Sequence, residues 1–279
     1  MGGFGMGTGR RWLCILLVPV ALAGATDAGA AIDDTGTILA DDDGTPEFPR
    51  VRVPAFLESS RRVTDTYGDK PNIFLTYDDG SSVYTQRLLD VLAPYDDISV
   101  TFFVMCREAV PGTMQRILDD GHALGNHTCG HPILTSLSTA SRLRQWQRLE
   151  DFVNARVEPD VDLTCQRPPF GATSRSVRAD AESMGMREWG WSVDPWDWSG
   201  ASVSRILAAL ESMDDGDIII LHDSAGSYRT VEATRIFLQR HADDYIFRSL
   251  PDCTLGRPLV WEGRFWDDDG SIFEEDIEW

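Results

Sequence analysis

The 279-residue sequence is poor in the residues that handle protons and metals at neutral pH, with five histidines and five cysteines. No two cysteines are spaced CxxC, which excludes the usual four-cysteine structural zinc site. Positive charge is scarce too: 25 Lys and Arg stand against 45 Asp and Glu, for a formal net charge of -20. So acidic a chain is a poor partner for a nucleic-acid duplex or an anionic membrane, and no nucleic acid is expected to bind it; a neutral or cationic ligand suits it better. The apolar run WLCILLVPVALAG, after Arg10 and Arg11, is too short to span a bilayer comfortably and runs into small residues. Residues 1 to 30 therefore resemble a secretory signal peptide, with an uncleaved membrane anchor as the alternative. A secreted or cell-envelope protein is expected, monomeric, touching a membrane only if that segment is retained.

What is present is enough for a full core. Hydrophobic residues make up 42% of the chain, consistent with one domain of roughly 200 residues plus tails. Loss of the leader would remove Cys14 and leave Cys106, Cys129, Cys165 and Cys253, an even number that permits two disulfides without fixing their pairing. Residues 31 to 68 open on AIDDTGTILADDDGTPEFPR, which has no apolar period and reads as an acidic linker and N-terminal extension. The folded domain is expected over residues 69 to 249. Residues 250 to 279 read as an acidic C-terminal extension, whose DDDG lacks the glycine and glutamate spacing of a twelve-residue calcium loop.

Within the expected domain, apolar strands alternate with helical patterns. PNIFLTYDDG, ISVTFFVMC, HALGNH, CQRPPF, REWGWSVD and DIIILHD read as strands; VYTQRLLDVLAPY, MQRILDDG, LSTASRLRQWQRLEDFVNAR, SRSVRADAESMG, ASVSRILAALESM and YRTVEATRIFLQRHA read as helices. In the third helix Leu143, Trp146, Leu149 and Phe152 are expected to form the buried face. Strands apolar throughout, joined through helices, imply a parallel sheet covered on both faces, and six or seven such units fit a closed or nearly closed β/α barrel. Polar residues at the carboxyl ends of barrel strands are where chemistry is expected. Asp78, Asp79, His127, His131, Arg167, Asp194 and His222 all fall there.

In GNHTCGH, His127 and His131 are four residues apart and would share a face if the segment were helical. With one carboxylate they would make a two-His, one-Asp metal set with a position left for water. In TYDDG, adjacent acids point in alternate directions, so one can bind a metal while the other serves as a base.

At this point the chain resembles the polysaccharide deacetylase family, the carbohydrate esterases with a NodB homology domain. LTYDDG, HTCGH, RPPFG, VDPWDW and IIILHD match its five motifs in order over about residues 69 to 245. The resemblance implies a deformed, incomplete (β/α) barrel of about seven strands that hydrolyses acetyl groups from a glycan. It implies Asp79, His127 and His131 as ligands of a divalent metal, zinc first, with cobalt or nickel able to substitute. Asp78 would be the general base, and Arg167 would orient it and keep it ionised, so that losing the arginine misplaces the base while leaving the fold largely intact. His222 would be the general acid, with Asp194 on its other ring nitrogen and Asp197 helping to fix the loop. The backbone N-H of Phe170, where the family usually has tyrosine, would help to stabilise the oxyanion. Trp198 would wall the acetyl methyl and Trp196 would stack on a sugar. Of Trp189 and Trp191, at least one is expected in the core.

Two departures from the family pattern are Tyr77 before the acids, expected to preserve packing, and Ser81 after the glycine, expected to cap the next helix. Cys129 pairing with Cys106 or with Cys165 would brace the histidine segment. The implied substrate is an N-acetylglucosamine glycan such as chitin, chito-oligosaccharide or peptidoglycan. An acetylxylan esterase with the same site is an alternative, and a glycan-binding module without catalysis is another.

Overall fold

In a computed structural model of the protein, residues 62–63, 69–107, 109–255, 264–266 and 272–274 are described. The expected leader, nearly all of the acidic linker and most of the C-terminal extension lie outside them. Among the described residues, no helix is long and apolar enough to cross a membrane.

The chain alternates strand and helix as its apolar periods require: β1 (Asn72–Asp78), α1 (Val83–Leu92), β2 (Thr101–Val104), α2 (Thr113–Asp119), β3 (Ala123–Asn126), α3 (Thr139–Asn154), β4 (Cys165–Gln166), α4 (Arg175–Ser183), β5 (Arg187–Glu188), α5 (Val203–Glu211), β6 (Ile218–His222) and α6 (Tyr228–His241). The sheet order is β5-β4-β3-β2-β1-β6, with every neighbouring pair parallel. Every residue of β1, β2 and β3 is buried, as strands covered on both faces must be. Two short strands complete the sheet: β7 (Ile246–Phe247), parallel to β1, and β8 (Thr254–Leu255), antiparallel to β3. β9 (Arg264–Trp266) and β10 (Ile272–Glu274) form a separate antiparallel pair.

The sheet curls. Val193, just past β5 at one end, bridges in parallel to Ile219 on β6 at the other. The result is the deformed, incomplete barrel expected. The run REWGWSVD does not stay in one strand, because only Arg187 and Glu188 pair with β4 before the chain crosses to β6. Packing also begins earlier than residue 69: Arg62 bridges to Asp217, and Val63 is buried in a core cluster with Phe74, Phe103, Trp189 and Cys253.

Local corrections follow from packing. The inner face of α3 is Arg142, Trp146, Leu149 and Val153: Trp146 and Leu149 are buried as expected, while Leu143 and Phe152 are only half-buried, Phe152 beneath the Arg156 guanidinium. Arg142 can occupy that face because it donates to Asp180 (2.6 Å) and to the carbonyl of Leu137 (2.6 Å), so its charge is paired where it is buried. The cap of α1 is Ser82, not Ser81: Ser82 accepts from Tyr84 N-H, while Thr85 accepts from Ser82 N-H in a capping box. Tyr77 keeps its expected packing role, stacked on Phe102 with its hydroxyl 3.1 Å from Thr234 Oγ1.

Candidate active site

The carboxyl ends of β1, β3, β4 and β6 converge. Asp78, the last residue of β1, is 1% exposed. Arg167, completely buried after β4, donates from Nη1 to Asp78 Oδ1 (2.8 Å) and Thr76 Oγ1 (2.7 Å), and from Nη2 to Gly190 O (2.8 Å). Its guanidinium lies over the Phe103 ring, 4.3 Å from the centroid. Burial pushes the Asp78 carboxyl above the usual range, and the Arg167 charge pulls it part of the way back. So complete an embedding also makes Arg167 part of the fold, not a partner removable without structural cost.

The next residue, Asp79, takes φ 75°, a left-handed conformation that Asp tolerates better than most residues, and leaves the strand. Its Oδ1 stands 3.5 Å from His127 Nε2 and 3.4 Å from His131 Nε2. The histidine segment is not helical: it follows β3 as an irregular turn, with Thr128 at φ 67° and His131 at φ 56°. The turn is held by Thr128 N-H on Asn126 Oδ1 (2.9 Å), Gly130 N-H on Gln145 Oε1 (2.8 Å) and His131 N-H on Thr128 Oγ1 (3.0 Å). A disulfide between Cys129 and Cys106 ties it to the end of β2, and Cys165 pairs with Cys253. The four cysteines expected to remain after loss of a leader are thus all used, with Cys106 rather than Cys165 as the partner of Cys129.

Three observations fit Asp79, His127 and His131 to a divalent cation. Their donor atoms lie within 4.8 Å of one another, and donors about 2.1 Å from a tetrahedral ion stand about 3.4 Å apart. Asp79 Oδ1 is buried without a hydrogen-bond partner, an expensive state for a carboxylate oxygen unless a cation meets it. His127 Nδ1 lies 2.8 Å from the Arg167 carbonyl; donation there leaves the Nε2 lone pair facing Asp79, and burial pulls the imidazole down to about 3 so that it stays neutral.

His222 ends β6, and its partner is Asp197, not Asp194. His222 Nδ1 is 2.8 Å from Asp197 Oδ1, while Asp197 Oδ2 accepts from His222 N-H (2.8 Å) and Thr230 Oγ1 (2.8 Å). Asp194 instead accepts the Trp196 N-H (2.8 Å) and shapes the turn. With Trp196 at φ 62°, the backbone reverses and delivers the second acid of VDPWDW, not the first, to the histidine. Burial alone would lower the His222 pKa, but the Asp197 hydrogen bond and the charges of Asp197, Asp78 and Asp79 outweigh it and raise it to about 9.

The rim is aromatic. Phe170, at φ 61° and 67% exposed, sets its ring edge-on to His131 with centroids 4.5 Å apart. Trp196 and Trp198 are exposed and stacked, centroids 5.5 Å apart, on the turn that carries Asp197. Trp189 is core, and Trp191 packs partly buried against the same cluster. Gln145, on α3, is a site-supporting residue with no separate sequence signal, since only the fold brings it beside Gly130.

The family pattern described as polysaccharide deacetylase matches residues 65–189. A chitooligosaccharide deacetylase of Sinorhizobium fredii is 33% identical over 211 residues, covering 70% of this chain and 97% of that protein. The peptidoglycan-N-acetylglucosamine deacetylase PgdA of Listeria monocytogenes is 34% identical over 199 residues, which are 64% of this chain but only 41% of that larger protein. The structure of peptidoglycan deacetylase PdaC from Bacillus subtilis superposes with a TM-score of 0.58 at 29% identity, covering 65% of this chain and 89% of that one. The chain belongs to the polysaccharide deacetylase family.

Proposed function

We propose that the protein is a metal-dependent hydrolase that removes N-acetyl groups from a glycan containing N-acetylglucosamine, such as chitin, chito-oligosaccharide or peptidoglycan. The observation that carries the reading is the juxtaposition of a buried carboxylate on an arginine, a three-donor metal set with an orphaned carboxylate oxygen, and a histidine on a carboxylate, all at neighbouring strand ends. The relatives named for chito-oligosaccharide and peptidoglycan N-deacetylation support the substrate class.

Asp79, His127 and His131 would hold the cation, with zinc expected from the donor set and cobalt or nickel able to substitute. A divalent ion bound there supplies Lewis acidity, polarising the acetyl carbonyl and acidifying water. Asp78, held by Arg167, takes a proton from the water that attacks the carbonyl carbon. The Phe170 backbone N-H would help to receive the negative oxygen. His222 then gives its proton to the departing nitrogen as the carbon-nitrogen bond breaks, leaving acetate and a free amine. Asp197 keeps His222 protonated and oriented. A proton donor of this strength favours the amide over the ester, because an amine cannot leave as an anion. Trp198 would flank the acetyl methyl, and Trp196 would stack on a sugar face.

The test is acetate release by the zinc-reconstituted protein from matched N-acetyl and O-acetyl glycans, beside His127→Ala. Release from chito-oligosaccharide or peptidoglycan that disappears in the variant is the expected result. Release from acetylxylan alone would replace the reading with an esterase, and no release from either would leave a glycan-binding module.

A further inference from the structure

Directly after His222 lies a fully buried acid that the proposed reaction does not use. Asp223 is 0% exposed, and no ion pair is made by its carboxylate among the described residues. Its surroundings give it a different task. Its N-H donates to Asp78 O (3.1 Å), and its carbonyl accepts from Ser82 Oγ (2.5 Å), so its backbone grips both ends of the turn 78 to 82. Its side chain fills the middle. A Cβ on Gly80 would lie 2.3 and 2.7 Å from the two carboxylate oxygens, so the backbone of Gly80 is packed against them.

The carboxyl group has a local hydrogen-bond partner. α1 has no acid of its own in its first turn. Ser82 N-H donates to Thr85 Oγ1 (2.8 Å), and Thr85 Oγ1 donates to Asp223 Oδ2 (2.5 Å), so the carboxylate from the β6 loop lies against the N-terminal turn of α1 through a hydroxyl relay. A helix N-terminus favours a negative charge there. Asp79 sits inside the turn thus fixed, in a left-handed conformation that a free turn would readily leave.

We infer that Asp223 is a positioning residue: through Thr85, Ser82 and the Gly80 backbone it fixes the turn that aims Asp78 and Asp79, and it couples that turn to the adjacent His222. This rests on the reading of Asp78 and Asp79 as base and metal ligand.

The experiment compares wild type, Asp223→Ala, Asp223→Asn, Thr85→Val and Thr85→Ser. Zinc affinity is read by competition with a chromophoric chelator, and kcat and KM for acetate release from a chito-oligosaccharide are read at saturating zinc. Asp223→Ala is expected to weaken zinc at least tenfold and to lower kcat at least tenfold with KM within twofold, and Asp223→Asn to fall between. Thr85→Val should reproduce the direction of both losses and Thr85→Ser should restore them, which a loss of packing alone would not do. Zinc affinity and kcat both within twofold of wild type in a folded Asp223→Ala would overturn the inference; if that variant does not fold, the same result in Thr85→Val overturns it. A wild-type protein that binds no zinc or releases no acetate would instead count against the proposed function, so the two failures are separable.

Discussion

Asp78 and His222 are register partners at the carboxyl ends of the adjacent parallel strands β1 and β6. Strands in a sheet lie about 4.8 Å apart and register partners point to the same face, so the proposed base and the proposed acid enter one cleft side by side. Their environments separate their roles. Asp78 sits on a guanidinium, where it can take a proton, and His222 sits on a carboxylate, where it holds one.

The Asp197 contact gives a pH test. His222 must be protonated to act as an acid, and its pKa is raised to about 9, so activity should fall as pH rises through about 9. Asp197→Asn should move that limb of kcat to lower pH by at least about one unit, because burial then dominates, while Asp194→Asn should move it less. The stability sign is the same: a pKa raised above 6.5 contributes stability that is fully present below pH 6.5 and fades as pH rises through about 9. The Tm gap between wild type and Asp197→Asn should therefore be widest below pH 6.5 and narrow above 9. An unchanged limb in Asp197→Asn would exclude the pair as a working unit.

Arg167→Met should abolish acetate release and also destabilise the protein by about 3–5 kcal/mol, because it strands the buried Asp78 carboxylate. Urea denaturation of Asp78→Asn/Arg167→Met should recover part of that loss. If Arg167→Met has wild-type stability, the buried pair is not the structural element described.

The two disulfides should differ in what their loss does. They close loops of sequence separation 23 and 88, which the chain-entropy model values at about 3.4 kcal/mol for Cys106–Cys129 and about 4.6 kcal/mol for Cys165–Cys253. Replacing Cys165 and Cys253 by Ala should lower Tm more. Replacing Cys106 and Cys129 should weaken zinc binding more, since Cys129 lies between His127 and His131. Equal effects of the two double variants on zinc affinity would refute the distinction.

Gly80→Ala should cost about 1–3 kcal/mol, the range for overpacking, because its new Cβ would collide with a carboxylate that Thr85 holds in place. Acetate release should fall by more than tenfold, with calorimetry giving the stability loss. A fully active Gly80→Ala would mean that the turn has slack the structure does not show.

The sequence carries the barrel and most of the site because each rests on short-range pattern. Apolar strands read as parallel and buried, and polar residues at their ends, from Asp78 to His222, land together. What it hides depends on backbone reversal or on distant contacts. The motif points to Asp194 as the partner of His222, and only the left-handed Trp196, which turns the chain, brings Asp197 there instead. The His127 and His131 pair works without a helix because Gln145, Thr128 and Cys106 shape the turn instead. Asp223 carries no sequence signal of its own, because its burial against Gly80 depends on β6 lying beside β1.

The most direct measurement is acetate release from an N-acetylated chito-oligosaccharide by the purified protein before chelation, after removal of metal with EDTA, and after zinc is restored. Activity should be lost with the metal and return with zinc in wild type, and should not return in Asp79→Ala. Acetate release that survives full chelation, or that zinc restores equally in Asp79→Ala, would contradict the proposed metal-dependent function.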